Sequence, residues 1–180
     1  FADIPPIGEY KMKLSYELAT EDIVSFNIYH FQNSKIAKKR RVIQRFFIPV
    51  WVIMIFLFFN IKNLNLASFT SNAPLLVFGI LWFLFFDKYY FWRIKSNVEK
   101  LLQEDKNNGM IGKQNVEVRD ELLVVENDSG LTQYKLETIN KIDENEKYLF
   151  IYVTSVSAIV IPKKIFQNYE KDSFVKELIK

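Results

Sequence analysis

The 180-residue chain has no cysteine, which excludes a disulfide framework, a thiolate zinc site and a cysteine nucleophile. It has one histidine, His30, too few for a histidine metal centre or a histidine acid–base pair. The five glycines form neither G-x-G-x-x-G nor a P-loop, and no G-x-S-x-G occurs. A non-enzyme is therefore expected, with no cofactor, no catalytic residue and no metal ligand set. The net charge is only +3, which argues against a general nucleic-acid binder. The two longest apolar runs contain no ionisable residue, and an intramembrane charge is what marks an ion or proton path.

What the chain does have is aromatic content and clustering. Aromatic residues make up 16%, mostly from 17 phenylalanines. The apolar residues concentrate in Phe46–Phe59 and Ala73–Phe86. Each run, read as a helix, covers roughly 21 Å, short of the roughly 30 Å hydrocarbon core of a bilayer. The flanks extend them: Val42 and Ile43 lengthen the first backwards past Arg45, which can snorkel, and Ile61, Leu64 and Leu66 lengthen it forwards. Phe69 lengthens the second run backwards. Pro49 and Pro74 fall near the starts, where a missing N–H costs least. The two runs therefore predict a transmembrane helical hairpin over 46–86, with cores at 46–61 and 73–86. The alternative is a soluble hairpin buried on all sides, for which so short a chain has little covering protein.

Lys35, Lys38, Lys39, Arg40, Arg41 and Arg45 precede the first run, and Lys88, Arg93, Lys95 and Lys100 follow the second. The loop between holds Lys62 alone. The excess of cations outside the hairpin predicts two membrane spans with both termini in the cytoplasm. Tyr89, Tyr90 and Trp92, with Arg93, read as interfacial anchors. Lys38, Lys39, Arg40, Arg41 and Arg45 read as a juxtamembrane cluster facing anionic headgroups, where each cation contributes on the order of 1 kcal/mol. Asp87, beside Lys88, is expected to tune the interface.

The remaining sequence divides around the hairpin. Residues 1–11 read as a cloning remnant or a processed end, since Met12 opens a start-like stretch. Residues 12–45 hold an alternating strand, "KLSYEL", and then a helix with Thr20 as N-cap and no breaker before Pro49. His30, at helical spacing from Ile23 and Phe26, reads as a packed helix histidine. Residues 87–109 continue the second helix into the cytoplasm and end at Asn107, Asn108 and Gly109. From 110 to 180 the period changes from 3.6 to 2, which predicts a small antiparallel sheet. A C-terminal helix follows, capped near Asp172 or Ser173, with Phe174, Val175, Leu178 and Ile179 inward. "DENE", Asp143 to Glu146, reads as an acidic turn. "PKKIF" presents Lys163 and Lys164 to a membrane or a partner, or else is an ordinary strand-end turn.

Several stretches carry a family likeness: "YELATEDIVSFNIYHFQNS" from Tyr16, the two apolar runs, "KLLQEDKNNGMIGKQNVEV" from Lys100 and "YLFIYVTSVSAIVIPKKIF" from Tyr148. Their order resembles the YcxB-like family of bacterial membrane proteins. The resemblance implies that the C-terminal part is a small pleckstrin-homology-like (PH-like) module, and it carries over no catalytic residue. The expected fold class is thus an α+β membrane protein: a two-helix transmembrane hairpin plus a small antiparallel PH-like sheet module with a C-terminal helix. The expected function is protein binding or anionic-lipid binding by that module. The alternative is an immunity protein that protects against a secreted toxin or bacteriocin. Expected partners are the bilayer's anionic headgroups and an unidentified protein, with no nucleic acid; the oligomeric state stays open.

Overall fold

A computed structural model describes residues 12–104, 110–167 and 170–179. The elements run β1 (Met12–Leu18), α1 (Thr20–Asn33), α2 (Lys35–Asn60), α3 (Leu66–Ser71), α4 (Ala73–Glu104), β2 (Gly112–Arg119), β3 (Leu122–Asn127), β4 (Gly130–Lys135), β5 (Lys141–Glu144), β6 (Tyr148–Tyr152), β7 (Ala158–Pro162) and α5 (Glu170–Ile179). They form two compact units. One comprises the residues up to Phe26 and from Val98 on, and the other is Asn27–Asn97. The class is α+β, with two long apolar helices and two small antiparallel sheets.

The sheet unit holds a four-stranded sheet, β1-β2-β3-β4, and a three-stranded sheet, β5-β6-β7. The N-terminal strand is thus part of the sheet: Leu14 is paired with Val116 and Lys13 with Glu117. The sheet draws on residues before the hairpin as well as on 110–180. Two-residue turns join β2 to β3 and β3 to β4, because Arg119 faces Leu122 and Asn127 faces Gly130 across them. Gly130 has φ +135°, a conformation that only glycine takes without strain.

Alternation places Leu14, Val116, Val118, Leu123 and Val125 on one face of the first sheet, against Leu149, Ile151 and Ile161 of the second. Phe174 and Leu178 of α5 close this core. Val175 is partly buried, but Ile179 is 70% exposed, so the expected inward set loses one member. The helix starts at Glu170, ahead of the expected caps; the Glu170 carboxylate accepts the Gln167 N–H at 2.9 Å.

Strand β6 is buried on both faces. Leu149 and Ile151 face the core, while Phe150 and Tyr152 lie against Phe26 of α1, with ring centroids 5.5 and 5.8 Å apart. The Tyr148 hydroxyl donates to Asp22 at 2.6 Å. Thr20 is the first residue of α1 and not its cap. Asp22 accepts the Ala19 N–H at 2.8 Å, half of the reciprocal arrangement that satisfies a helix start.

In the helical unit the expected continuous helix breaks at Ser34. Its hydroxyl caps α2 by accepting the Ala37 N–H at 3.4 Å, so the breaker is a short polar side chain rather than a proline. Pro49 consequently lies inside α2, where it removes the N–H that would bond the Arg45 carbonyl. Pro74 is the second residue of α4, a favourable place. Helix α2 stops at Asn60, short of the expected forward extension through Ile61, Leu64 and Leu66, and α4 begins at Ala73, so Phe69 lies outside it. The expected backward extension past Arg45 and the continuation of α4 beyond residue 87, to Glu104, are both present. The connection holds a short helix, α3, capped by Asn65, which accepts the Ser68 N–H at 2.9 Å. Helices α2 and α4 approach closely at Gly79, where a Cβ would meet Val52 at 3.3 Å. The expected stop at Asn107, Asn108 and Gly109, and the reading of residues 1–11, lie outside the described residues.

Candidate functional site

The predicted cationic cluster at the start of α2 divides into two sets. Lys38, Lys39 and Arg40 are exposed. Arg41 and Arg45 turn across to α4, and both reach Asp87. Arg45 Nη1 donates to Asp87 Oδ2 at 3.2 Å, and Arg41 Nε stands 3.7 Å from Oδ1. Arg45 Nε also donates to the Phe83 carbonyl at 3.2 Å, with the guanidinium 4.2 Å over the Phe83 ring. Arg41 lies 5.2 Å over the Phe91 ring. Arg45, expected to reach along its helix, thus engages α4 in this clasp. A planar guanidinium suits it, because it can hold a carboxylate and lie over an aromatic face together. The four-residue spacing of 41 and 45 puts both on one side of the helix, so the pairing was open to a reading that asked what Asp87 faced.

The interfacial anchors lie along α4. Tyr89 and Trp92 are exposed, with their rings 6.2 Å apart, and Trp82 stands 5.5 Å from Phe86 and 5.8 Å from Tyr89. Arg93 Nη1 donates to the Tyr89 hydroxyl at 3.4 Å. Helices α2 and α4 border a groove of about 560 Å³, lined by Phe47, Trp82, Phe86, Gln44, Arg93 and Asn97 among others but not by Trp92. Sequence reasoning named Arg93 but missed Gln44 and Asn97. Two amides at the polar end of an apolar helix pair were the available signal. The indole Nε1 of Trp82 is buried and has no partner among the described residues. A second groove of about 370 Å³, lined by Pro49, Val52, Gly79 and Phe83, is wholly apolar.

In the sheet unit Lys163 and Lys164 behave differently from each other. Lys163 Nζ contacts Glu144 at 2.8 Å, and Lys171 of α5 reaches the same oxygen at 3.0 Å. Hydrogen bonds from the two lysines hold the Glu144 carboxyl below the usual carboxylate range. The acidic stretch and the "PKK" stretch, read apart in the sequence, are thus each other's partners. Asp143 and Glu144 belong to β5, and the turn proper follows them. Ile165 and Phe166 pack on the core, and Lys164 is exposed. Glu117 on β2 is a second paired carboxylate. Its side chain is 8% exposed and is held by Lys13 at 2.8 Å and Arg119 at 2.6 Å. The Lys13 hydrogen bond leads in pushing its pKa down, and Arg119 adds to it.

His30 is half-buried with its ring edge on Phe31 at 5.7 Å. Among the described residues no group of three or more His, Asp or Glu side chains is placed to hold a metal ion. What the surfaces offer chemically is paired charge, an aromatic groove with one cation, and exposed strand edges.

The C-terminal strands and the helix that seals them match a known family. Residues 118–179 match the YcxB-like protein family. The YcxB-like segment runs from Val118 in β2 to Ile179 in α5, so β1 and the helical unit lie outside it. No curated protein and no solved structure matches the chain.

Proposed function

We propose that this chain is a two-span protein of a bacterial cytoplasmic membrane, and that its sheet unit is a cytoplasmic PH-like lobe that binds a protein partner. The observation that carries the reading is the outward apolarity of α2 and α4. Both are long and apolar enough to cross a membrane, yet only 11% of each apolar window is buried. The core helix of a soluble protein would be mostly buried, and a helix apolar on all sides without protein cover needs lipid. The cation asymmetry supports placing the ends of the hairpin inside and Lys62 outside. Four strands, then three, then a sealing helix support the PH-like analogy, which by itself assigns no function.

A protein partner is favoured over a headgroup at "PKK" because Lys163 is already occupied by Glu144. Strand β4 offers an alternative surface. It is an edge of its sheet, its residues are almost all exposed, and Leu131 stands outward. An edge strand with free backbone groups can accept an added strand.

The cysteine-free chain makes the topology directly testable. Lys62→Cys is expected to react with a membrane-impermeant maleimide in intact cells, and Ser129→Cys only after lysis. A chain that washes off membranes in alkaline carbonate would sink the membrane reading, and reversed labelling would sink the orientation. Native mass spectrometry from mild detergent then tests the lobe. A stoichiometric second protein supports it, and anionic lipid lost on Lys164→Gln would shift the reading to a headgroup.

A further inference from the structure

The groove between α2 and α4 has the build of a lipid site, and we propose that it holds one anionic phospholipid of the cytoplasmic leaflet. The proposal rests on the membrane reading above and adds a ligand and an address to it. Three features of the groove carry it.

The first is its polarity gradient. Phe47, Trp82 and Phe86 line one end, and Arg93 and Asn97 line the other. Helices α2 and α4 run in opposite directions, as the pairs Arg45–Asp87 and Val52–Gly79 require, so Gln44 lies between the two ends, past Phe86 on the way to Arg93. Acyl chains match the first end and a phosphodiester with its glycerol matches the second. A second groove on this hairpin, at Pro49, Val52, Gly79 and Phe83, has an apolar lining, which is what plain lipid contact looks like.

The second is charge. Among the described residues, Arg93 is the one charged residue lining the groove, and no acidic side chain lines it. Among the described residues it donates to the Tyr89 hydroxyl, at 3.4 Å, and to no carboxylate. Arg41 and Arg45, in contrast, are engaged with Asp87. The groove therefore presents a guanidinium not committed to a carboxylate, and such a fork suits phosphate oxygens. On α2, Arg40 precedes Gln44 by one helical turn on the same stripe and adds a second cation at that end. A basic pocket between spans at the cytoplasmic side is a recognised setting for an anionic headgroup.

The third is length. From Trp82 to Asn97 the groove follows α4 for about 22 Å at 1.5 Å per residue. That is about one leaflet of a bilayer 40–45 Å thick in all. The polar end coincides with the aromatic belt, where headgroups begin.

The test uses the full chain, extracted in mild detergent, stripped of lipid and titrated with phosphatidylglycerol or phosphatidylcholine under native mass spectrometry. One phosphatidylglycerol per chain is expected to bind at least tenfold tighter than phosphatidylcholine. Arg93→Gln is expected to remove that preference and Arg93→Lys to restore part of it. Lys38→Gln with Lys39→Gln, cations outside the groove lining, is expected to leave it intact. Equal binding of the two lipids overturns the proposal, as does an Arg93→Gln chain that keeps the preference while the Lys38/Lys39 variant loses it. Carbonate extraction of the same cells separates the two levels of failure. A chain absent from the washed membrane removes the membrane reading itself, whereas a chain retained there without lipid selectivity removes only the groove.

Discussion

In the sheet unit Phe150 and Phe174 are fully buried, while in the helical unit Phe58 and Phe59 stand 79% and 74% exposed. The same side chain is used under two opposite solvent conditions. In the sheet unit, burial removes apolar area from water and contributes about 25 cal/mol per Å². In the helical unit comparable area stays exposed; Val52, Phe56 and Phe86 are buried there, and part-exposed Arg41 and Arg45 meet Asp87 across the two helices. Where the sheet unit puts carboxylates, Glu117 and Glu144, it pairs them with lysine and arginine at its surface. Cohesion is thus hydrophobic in one unit, and in the other it rests on packing and charge.

The sharpest break of this comparison is a pair of equal truncations. Phe174→Ala leaves a cavity between the two sheets and α5, and is expected to cost about 3–5 kcal/mol. Amide exchange in β2 and β6, read by mass spectrometry, should accelerate more than hundredfold. Phe58→Ala removes the same atoms from an outward position and should leave those amides unchanged. Similar acceleration from both substitutions would mean that the exposed helix faces are part of a protein core.

Asp87→Ala comes next. It strands two arginines and leaves the Phe83 carbonyl bond as the remaining polar link from Arg45. In detergent with ready water access the loss should be below about 1 kcal/mol, as for exposed pairs. In a bilayer, where unpaired charge near the hydrocarbon is expensive, about 1–3 kcal/mol is expected. Unfolding of the hairpin in bicelles and in detergent measures the difference. An identical loss in both would place the clasp in bulk water.

Much of this was legible in the sequence for plain reasons. The change of hydrophobic period located the strands other than β5, whose "DE" was read as part of a turn, because side chains alternate in a sheet whatever else surrounds them. The two apolar runs located α2 and α4. The pairings were not legible. "KLSYEL" looked like a strand beside the hairpin, but nothing local says that its partner is β2, about a hundred residues on. Lys163 and Glu144 stand at the two ends of a hairpin region and meet only once β5, β6 and β7 align. Ser34 was passed over because a serine breaks a helix only when its hydroxyl caps the next one. The polar end of the groove was invisible for a similar reason. Gln44 and Asn97 are 53 positions apart and line one groove only through the antiparallel packing of α2 and α4.

The smallest effects are those of the paired carboxylates, and they separate by burial and by pH. Glu117→Gln keeps the shape and removes the charge between Lys13 and Arg119. Its carboxylate is nearly buried, but both cations are part-exposed, so about 1–2 kcal/mol is expected. Glu144→Gln removes the partner of Lys163 and Lys171, and with a side chain 46% exposed it should cost below about 1 kcal/mol. In both cases the folded carboxyl titrates below its ordinary value of 4.5. The unfolded chain therefore takes up protons first as pH falls. The stabilisation is fully present above pH 4.5 and is lost as pH drops through the depressed folded value. Urea unfolding of the sheet unit at pH 7 and at pH 3 reads this out. The deficit of Glu117→Gln against the parent should shrink at the lower pH, and that of Glu144→Gln should shrink from a smaller start. A Glu117→Gln deficit that stays constant between the two would mean that the side chain contributes through shape rather than charge.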